Sequence, residues 1–289
     1  MERYPVARAT LAEADEALGR DLTRTILEGP EADLRITWNT QPAILTVSVL
    51  CLRVLRETVD LSPAAFAGHS LGEYSALVAA GAIGFADAVR AVEKRGRFMQ
   101  EAVPLGTGAM AAVLGLDAPE VARICAEISR EGAVVELAND NCPGQVVISG
   151  HTAAVEEAGQ KARQAGAKRA MPLPVSAPFH CSLIRPAGER LAGALKDIEL
   201  SSPKVPVVAN VDGQPYPNGA GIPDRLIRQV SQPVRWQDCV KALEKMGVDR
   251  FVEVGPGKVL AGLIRRILPE ARVANVEDPA GLEALAKGF

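Results

Sequence analysis

The chain has 289 residues, with 32 Lys and Arg against 35 Asp and Glu, for a formal net charge of -3. That slightly acidic balance, with aromatics at only 4%, excludes a general nucleic-acid binder, which needs a basic face and stacking rings. Hydrophobic residues make up 48% of the chain, enough to bury the core of one large domain or of a domain carrying an insertion.

Residues 5–18 have amphipathic helical spacing, ended by Gly19. Thr40 then reads as a helix N-cap with Pro42 in the first turn, and the apolar run 43–55 as a buried helix. Residues 64–68 form a short apolar run suited to a buried strand, which meets a helical pattern that stops at Gly81. A helix over residues 86–103 follows and ends before Pro104.

The middle of the chain changes grammar. Strands are expected over 109–115, 134–138, 145–149 and 169–173, with helices over 119–130 and 153–165 and a turn-rich Asn139-Asp140-Asn141-Cys142-Pro143-Gly144 between the second and third strands. The order β-α-β-β-α-β is the ferredoxin-like arrangement. Beyond it, helices are expected over 183–198, 224–230, 236–245 and 258–267, and strands over 205–209, at 250 onward and over 273–275. The expected fold class is α/β: a mostly parallel sheet flanked by helices, α/β-hydrolase-like, with an inserted ferredoxin-like small subdomain. The corresponding division is 1–103 and 175–289 for the two parts of the large subdomain and 104–174 for the small one.

The cysteines, Cys51, Cys125, Cys142, Cys181 and Cys239, are odd in number and scattered, with no CxxC pair. They point to neither a zinc site nor a disulfide framework, and the expected compartment is the reducing cytoplasm. No apolar run has membrane-spanning length, and the polar opening of the chain does not resemble a secretory signal.

Gly68-His69-Ser70-Leu71-Gly72 is a G-x-S-x-G pentapeptide. Alone it is a weak signal, and Ser70 as a mere helix cap is the bland alternative. An apolar strand before it and a helix after it are the context a nucleophile elbow requires, with the glycines easing the turn. The first N–H groups of the following helix lack intrahelical partners, so the Leu71 N–H becomes a candidate oxyanion donor. A serine attacking at neutral pH needs a base. Of the three histidines, His69 adjoins Ser70 and should point away, and His151 heads a helix of the small subdomain. His180 lies in a non-helical segment just after that subdomain, so elimination favours it. Asp197, Asp212 and Asp238 occupy no suggestive motif, which leaves a backbone carbonyl as an alternative third member and a Ser-His dyad as the arrangement.

Five stretches, taken together, resemble the malonyl-CoA:acyl carrier protein transacylase family: residues 68–83 (GHSLGEYSALVAAGAI), 95–116 (RGRFMQEAVPLGTGAMAAVLGL), 143–150 (PGQVVISG), 173–183 (LPVSAPFHCSL) and 252–267 (VEVGPGKVLAGLIRRI). The acyltransferase domains of polyketide and fatty-acid synthases share the pattern. The resemblance implies a ping-pong reaction in which Ser70 takes malonyl from coenzyme A and passes it to the phosphopantetheine thiol of acyl carrier protein, with His180 as base. It gives Arg95 the role of gripping the malonyl carboxylate, which a guanidinium fork suits. It has the backbone carbonyl of Gln229 hold the histidine ring, sets Gln41 near the cleft, and makes Phe179 the malonyl-selecting form of its segment. No metal or redox cofactor is implied, the coenzyme A thioester being substrate, and a monomer is expected. An acidic carrier protein would meet a basic surface, with Arg185, Lys258, Arg265 and Arg266 as candidates. Family members open with a strand and a Gly-Gln-Gly-Ser-Gln loop that this sequence lacks, so the chain reads as N-terminally short. Two other readings stand beside the transferase: a serine hydrolase of esterase or phospholipase type, and a non-catalytic relative that binds carrier protein.

Overall fold

The computed structural model describes residues 3–104, 106–175 and 177–288. Ser176, within the segment expected to carry His180, therefore lies outside the described residues. The first part of the chain is α1 (Pro5–Leu18), α2 (Leu22–Glu28), α3 (Glu31–Leu34), α4 (Thr37–Thr58), β1 (Phe66–Ala67), α5 (Gly72–Ala79) and α6 (Phe85–Glu101). The middle is β2 (Gly108–Leu114), α7 (Ala118–Ile128), β3 (Val135–Cys142), β4 (Gln145–His151), α8 (Thr152–Gln164) and β5 (Arg169–Pro172). The last part is α9 (Arg185–Leu195), β6 (Val207–Val208), α10 (Ile222–Ser231), α11 (Trp236–Lys245), β7 (Arg250–Val254), α12 (Val259–Ile267), β8 (Arg272–Val276) and α13 (Pro279–Ala286).

The strands form three sheets. β1 pairs with β6 and β7 with β8, both in parallel, while β2 to β5 form an antiparallel sheet ordered β3-β4-β2-β5. That last order is the ferredoxin-like one. α7 and α8 bury their apolar stripes on it through Val121, Ile124, Val155 and Ala158, giving this sheet a core of its own. A second, larger core joins α4, α5, α6, α9 and α10 around Leu45, Leu77, Val92, Leu191 and Leu226. A cavity of about 780 Å³ lies between β1 and β7, walled by side chains of α4, α5, α11 and α12.

Three local expectations need correcting. Thr40 is not an N-cap: α4 begins at Thr37, a full turn earlier, and Thr40 sends its hydroxyl to the carbonyls of Leu34 and Ile36. Pro42 thus sits inside the helix, where its missing N–H leaves the carbonyl of Trp38 without its usual partner. An Arg20 guanidinium N–H at 3.5 Å serves that carbonyl instead, so the proline is tolerated. The stretch Asn139 to Cys142 is strand, not turn. β3 continues through it with two register shifts, and only Pro143 and Gly144 turn the chain. The glycines of the pentapeptide are also unequal. A Cβ at Gly68 would lie 2.0 Å from the Gly72 backbone, whereas one at Gly72 would meet nothing within 4 Å.

Gly96 explains how α4 and α6 come close enough to share a site. A Cβ there would approach the Thr37 carbonyl oxygen and the Trp38 Cα to 2.7 Å, both backbone atoms that cannot yield cheaply. Gly96→Ala should therefore force the helices apart at a cost of about 1–3 kcal/mol. Thermal unfolding checks this; an unchanged melting temperature would show that the contact relaxes freely.

Candidate active site

Ser70 sits at the turn between β1 and α5 with φ 51°. Among the described residues only Ser70 and His180, at φ 60°, are non-glycine residues with positive φ. Such backbone conformations cost about 1–3 kcal/mol and persist only where their surroundings impose them. At Ser70 the clamp is Asn210, on the segment after β6. Its side-chain Oδ1 accepts from the Ser70 N–H at 2.7 Å and its Nδ2 donates to the Gly68 carbonyl at 2.8 Å. The elbow thus draws its shape from Gly68, from the strain at Ser70 itself and from a residue 140 positions away.

His180 is buried, and its Nε2 lies 2.8 Å from Ser70 Oγ. Its Nδ1 lies 2.8 Å from the backbone carbonyl of Gln229 on α10. A carbonyl only accepts, so Nδ1 carries the ring proton and Nε2 presents its lone pair to the serine hydroxyl. Burial, with the Arg95 charge adding to it, pushes His180 down to about 3, so the ring is neutral at pH 7. No carboxylate takes the third place. Asp212 pairs with Arg225, and Asp238 with Arg235.

Arg95 comes from α6 and is 2% exposed. One terminal nitrogen donates to Gln41 Oε1 at 2.6 Å; the other donates to Ser70 Oγ at 3.0 Å and to Gln229 Oε1 at 2.9 Å. The serine oxygen therefore donates to a neutral imidazole and accepts from a guanidinium, an arrangement that stabilises charge appearing on that oxygen. The Leu71 N–H has no acceptor among the described residues and stands at the N-cap of α5. Ser70, His180, Arg95, Gln229 and Gln41 are thus brought together from five separate segments.

The remaining histidines are otherwise engaged. His69 turns away from the serine hydroxyl, with its Nε2 2.8 Å from Asn141 Oδ1 and its ring 5.7 Å from that of Trp236. His151 accepts from the Val134 N–H through Nδ1. Three of the basic candidates have local partners: Lys258 pairs with Glu277, Arg265 bonds the Val273 carbonyl, and Arg266 bonds Gln145 and the Pro143 carbonyl. Asn210, Glu73 and Tyr216 were not foreseen at the site. Asn210 bonds Ser70 across 140 positions, Gln229 bonds Glu73 across 156 and Tyr216 bonds Glu73 across 143, separations that no local pattern can reveal. Glu73 alone was within reach of inspection, since it adjoins the pentapeptide.

Residues 1–283 match the family model described as acyl transferase domain. The malonyl CoA-acyl carrier protein transacylase of Escherichia coli (strain K12) is 53% identical over 281 residues, covering 97% of this chain and 91% of that one. A crystal structure of the acyl-carrier-protein S-malonyltransferase from Burkholderia pseudomallei superimposes with a TM-score of 0.95 at 49% identity, over 98% of this chain and 92% of that one. A type II PKS acyl-carrier protein in complex with its malonyl-transacylase matches with a TM-score of 0.96 at 48% identity, over 99% of this chain and 92% of that one.

Proposed function

Because the chain belongs to the acyl transferase domain family, we infer that it moves malonyl from malonyl-CoA to the phosphopantetheine thiol of acyl carrier protein, for fatty-acid or polyketide synthesis. In this reading Ser70 Oγ attacks the thioester carbonyl while its proton passes to His180 Nε2. The tetrahedral intermediate then expels the coenzyme A thiolate, which takes that proton, and leaves malonyl esterified to Ser70. The pantetheine thiol attacks the ester by the same steps in reverse. We assign the Leu71 N–H to the developing oxyanion, and the Gln229 carbonyl to holding His180. Arg95 is the group that grips the malonyl carboxylate. The observation that carries the assignment is the convergence of an imidazole and a guanidinium on one hydroxyl, at 2.8 and 3.0 Å.

Residues 104–174 are proposed as the small subdomain and 1–103 with 175–289 as the large one; the separate core under β2 to β5 supports that division. Five buried thiols, all free, suit the reducing cytoplasm. Among the described residues no helix is long and apolar enough to cross a membrane, and no group of three or more His, Cys, Asp or Glu could hold a metal ion.

Brief exposure to malonyl-CoA should add one malonyl mass to the intact protein, which persists in buffer and leaves when a pantetheine thiol is supplied. A label lost to water as fast as it forms would make the protein a hydrolase instead. Arg95→Ala should lower kcat/KM for malonyl-CoA by about 10²–10³-fold more than for acetyl-CoA, because only malonyl has a carboxylate to lose its charge-assisted partner. Steady-state kinetics on the two thioesters check this; equal losses would mean that Arg95 does not read the carboxylate.

A further inference from the structure

Arg95 and Glu73 are the Arg and Glu side chains that the core encloses among the described residues, at 2% and 0% exposed, and no carboxylate touches the guanidinium. Arg95 is instead surrounded by neutral acceptors: Gln41 Oε1, Gln229 Oε1 and Ser70 Oγ. Its Nε is buried without a partner. Glu73, in the first turn of α5, accepts from the Gln229 Nε2 at 2.7 Å, from the Asn210 N–H at 3.0 Å and from the Tyr216 hydroxyl. Three donors and no acceptor converge on it. That set suits an ionised carboxylate, and it opposes the upward push of burial.

The group between the two charges is the side-chain amide of Gln229. Its Nε2 faces the Glu73 carboxylate and the Ser70 carbonyl, and its Oε1 faces the guanidinium. This is the only orientation the neighbours allow, since a flipped amide would set oxygen against oxygen at one end and N–H against N–H at the other. The amide dipole therefore lies along the line from anion to cation and bridges a buried ion pair whose members do not touch.

We propose that Glu73 is the resident counter-ion of Arg95, acting through the Gln229 amide, and that its charge limits how strongly the site selects an acyl group bearing a carboxylate. The inference rests on Arg95 receiving that carboxylate. Without substrate the buried pair is neutral. A malonyl group brings a second anion to the same cation, so Glu73 opposes it; an acetyl group brings no charge and is indifferent to Glu73. Glu73 touches no reacting atom in this scheme and is a positioning and selectivity residue.

Glu73→Gln keeps the shape and an acceptor oxygen for Gln229 but removes the charge. With malonyl-CoA and acetyl-CoA in competition, intact-protein mass should show the malonyl-to-acetyl ratio rising about fivefold or more over wild type, through a lower KM for malonyl-CoA. Glu73→Asp, which keeps the charge, should return the ratio toward the wild-type value. A ratio that is unchanged or falls in Glu73→Gln, as equal damage to both reactions would give, overturns the proposal. The wild-type protein is run alongside: if it takes up no malonyl, the transacylase reading fails rather than this one. A stability cycle then decides independently of turnover. Glu73→Gln should lower the melting temperature in the wild-type background and lower it less, or raise it, beside Arg95→Met. If Glu73→Gln alone does not fold, the double variant should; additive losses, or a double variant that does not fold when Arg95→Met does, overturn the proposal.

Discussion

Replacing Ser70 by alanine is expected to abolish acyl-enzyme formation, with turnover falling about 10⁴-fold or more, the loss seen when a covalent nucleophile is removed from an intact site. The hydroxyl is the only group removed. Alanine retains the Cβ, so the strained φ of 51° and the Asn210 clamp on the backbone are kept, and the variant should melt near the wild-type temperature. Arg95 keeps its bonds to Gln41 and Gln229, so malonyl-CoA should still bind. Calorimetric titration should therefore find binding without a malonyl mass on the protein. Malonyl label on Ser70→Ala would place the acyl group on another side chain and remove Ser70 from the mechanism. Ser70→Gly adds a structural contrast. Glycine adopts positive φ without the penalty a Cβ brings, so this variant should be at least as stable as Ser70→Ala despite the entropy a glycine loses on folding.

How much of this was legible beforehand depended on how far apart the cooperating residues lie. The elbow is local: a strand, five residues and a helix, all adjacent in sequence. His180 was reachable by elimination because the chain holds only three histidines. Arg95 carried no signal of its own, being one charge on a helix with several, and only the resemblance singled it out. Gly96 beside it lets α6 approach the backbone of Thr37 and Trp38 on α4, a close contact that no charge pattern announces. Asn210 and Tyr216 lie far from Ser70 in sequence, and a polar residue after a short strand has the same local appearance whether it clamps an elbow or caps a loop. The misplaced start of α4 has a different cause. Proline in a first turn is the ordinary reading of Thr40-Gln41-Pro42, and the Arg20 contact that excuses an internal proline is a tertiary one. The polar end of β3 was read as turn because Asn and Asp are poor strand formers. Asn139 and Asn141 are nevertheless buried there, and Asn141 is what holds His69 away from the serine.

Removing His180, the proposed base, should lower the rate less than removing Ser70, the proposed nucleophile, because the guanidinium of Arg95 still donates to the hydroxyl. His180→Ala is expected to slow malonyl loading about 10²–10⁴-fold, the range for a positioned proton acceptor. His180→Asn is the better control for shape, since Asn tolerates the left-handed backbone that φ 60° demands. The pH dependence separates the base from a bystander. Burial pushes His180 down to about 3, so its lone pair is available throughout the neutral range and well below it. The wild-type loading rate, measured by quenched mass spectrometry, should therefore show no acid limb near 6.5, where an ordinary histidine titrates. A limb there would mean that the ring is solvated and the buried geometry is wrong. The same shift bears on stability. Between about 3 and 6.5 the unfolded chain binds a proton at this site that the folded chain refuses, so stability is full above 6.5 and falls with pH through that window, by up to about 1.4 kcal/mol per pH unit. His69, also lowered by burial, adds a slope of the same sign. His180→Asn should remove one of these two slopes, which denaturant titrations at pH 7 and pH 5 can resolve. An unchanged pH dependence in that variant would show that His180 titrates in the fold as it does in the unfolded chain, and so that burial does not hold it down.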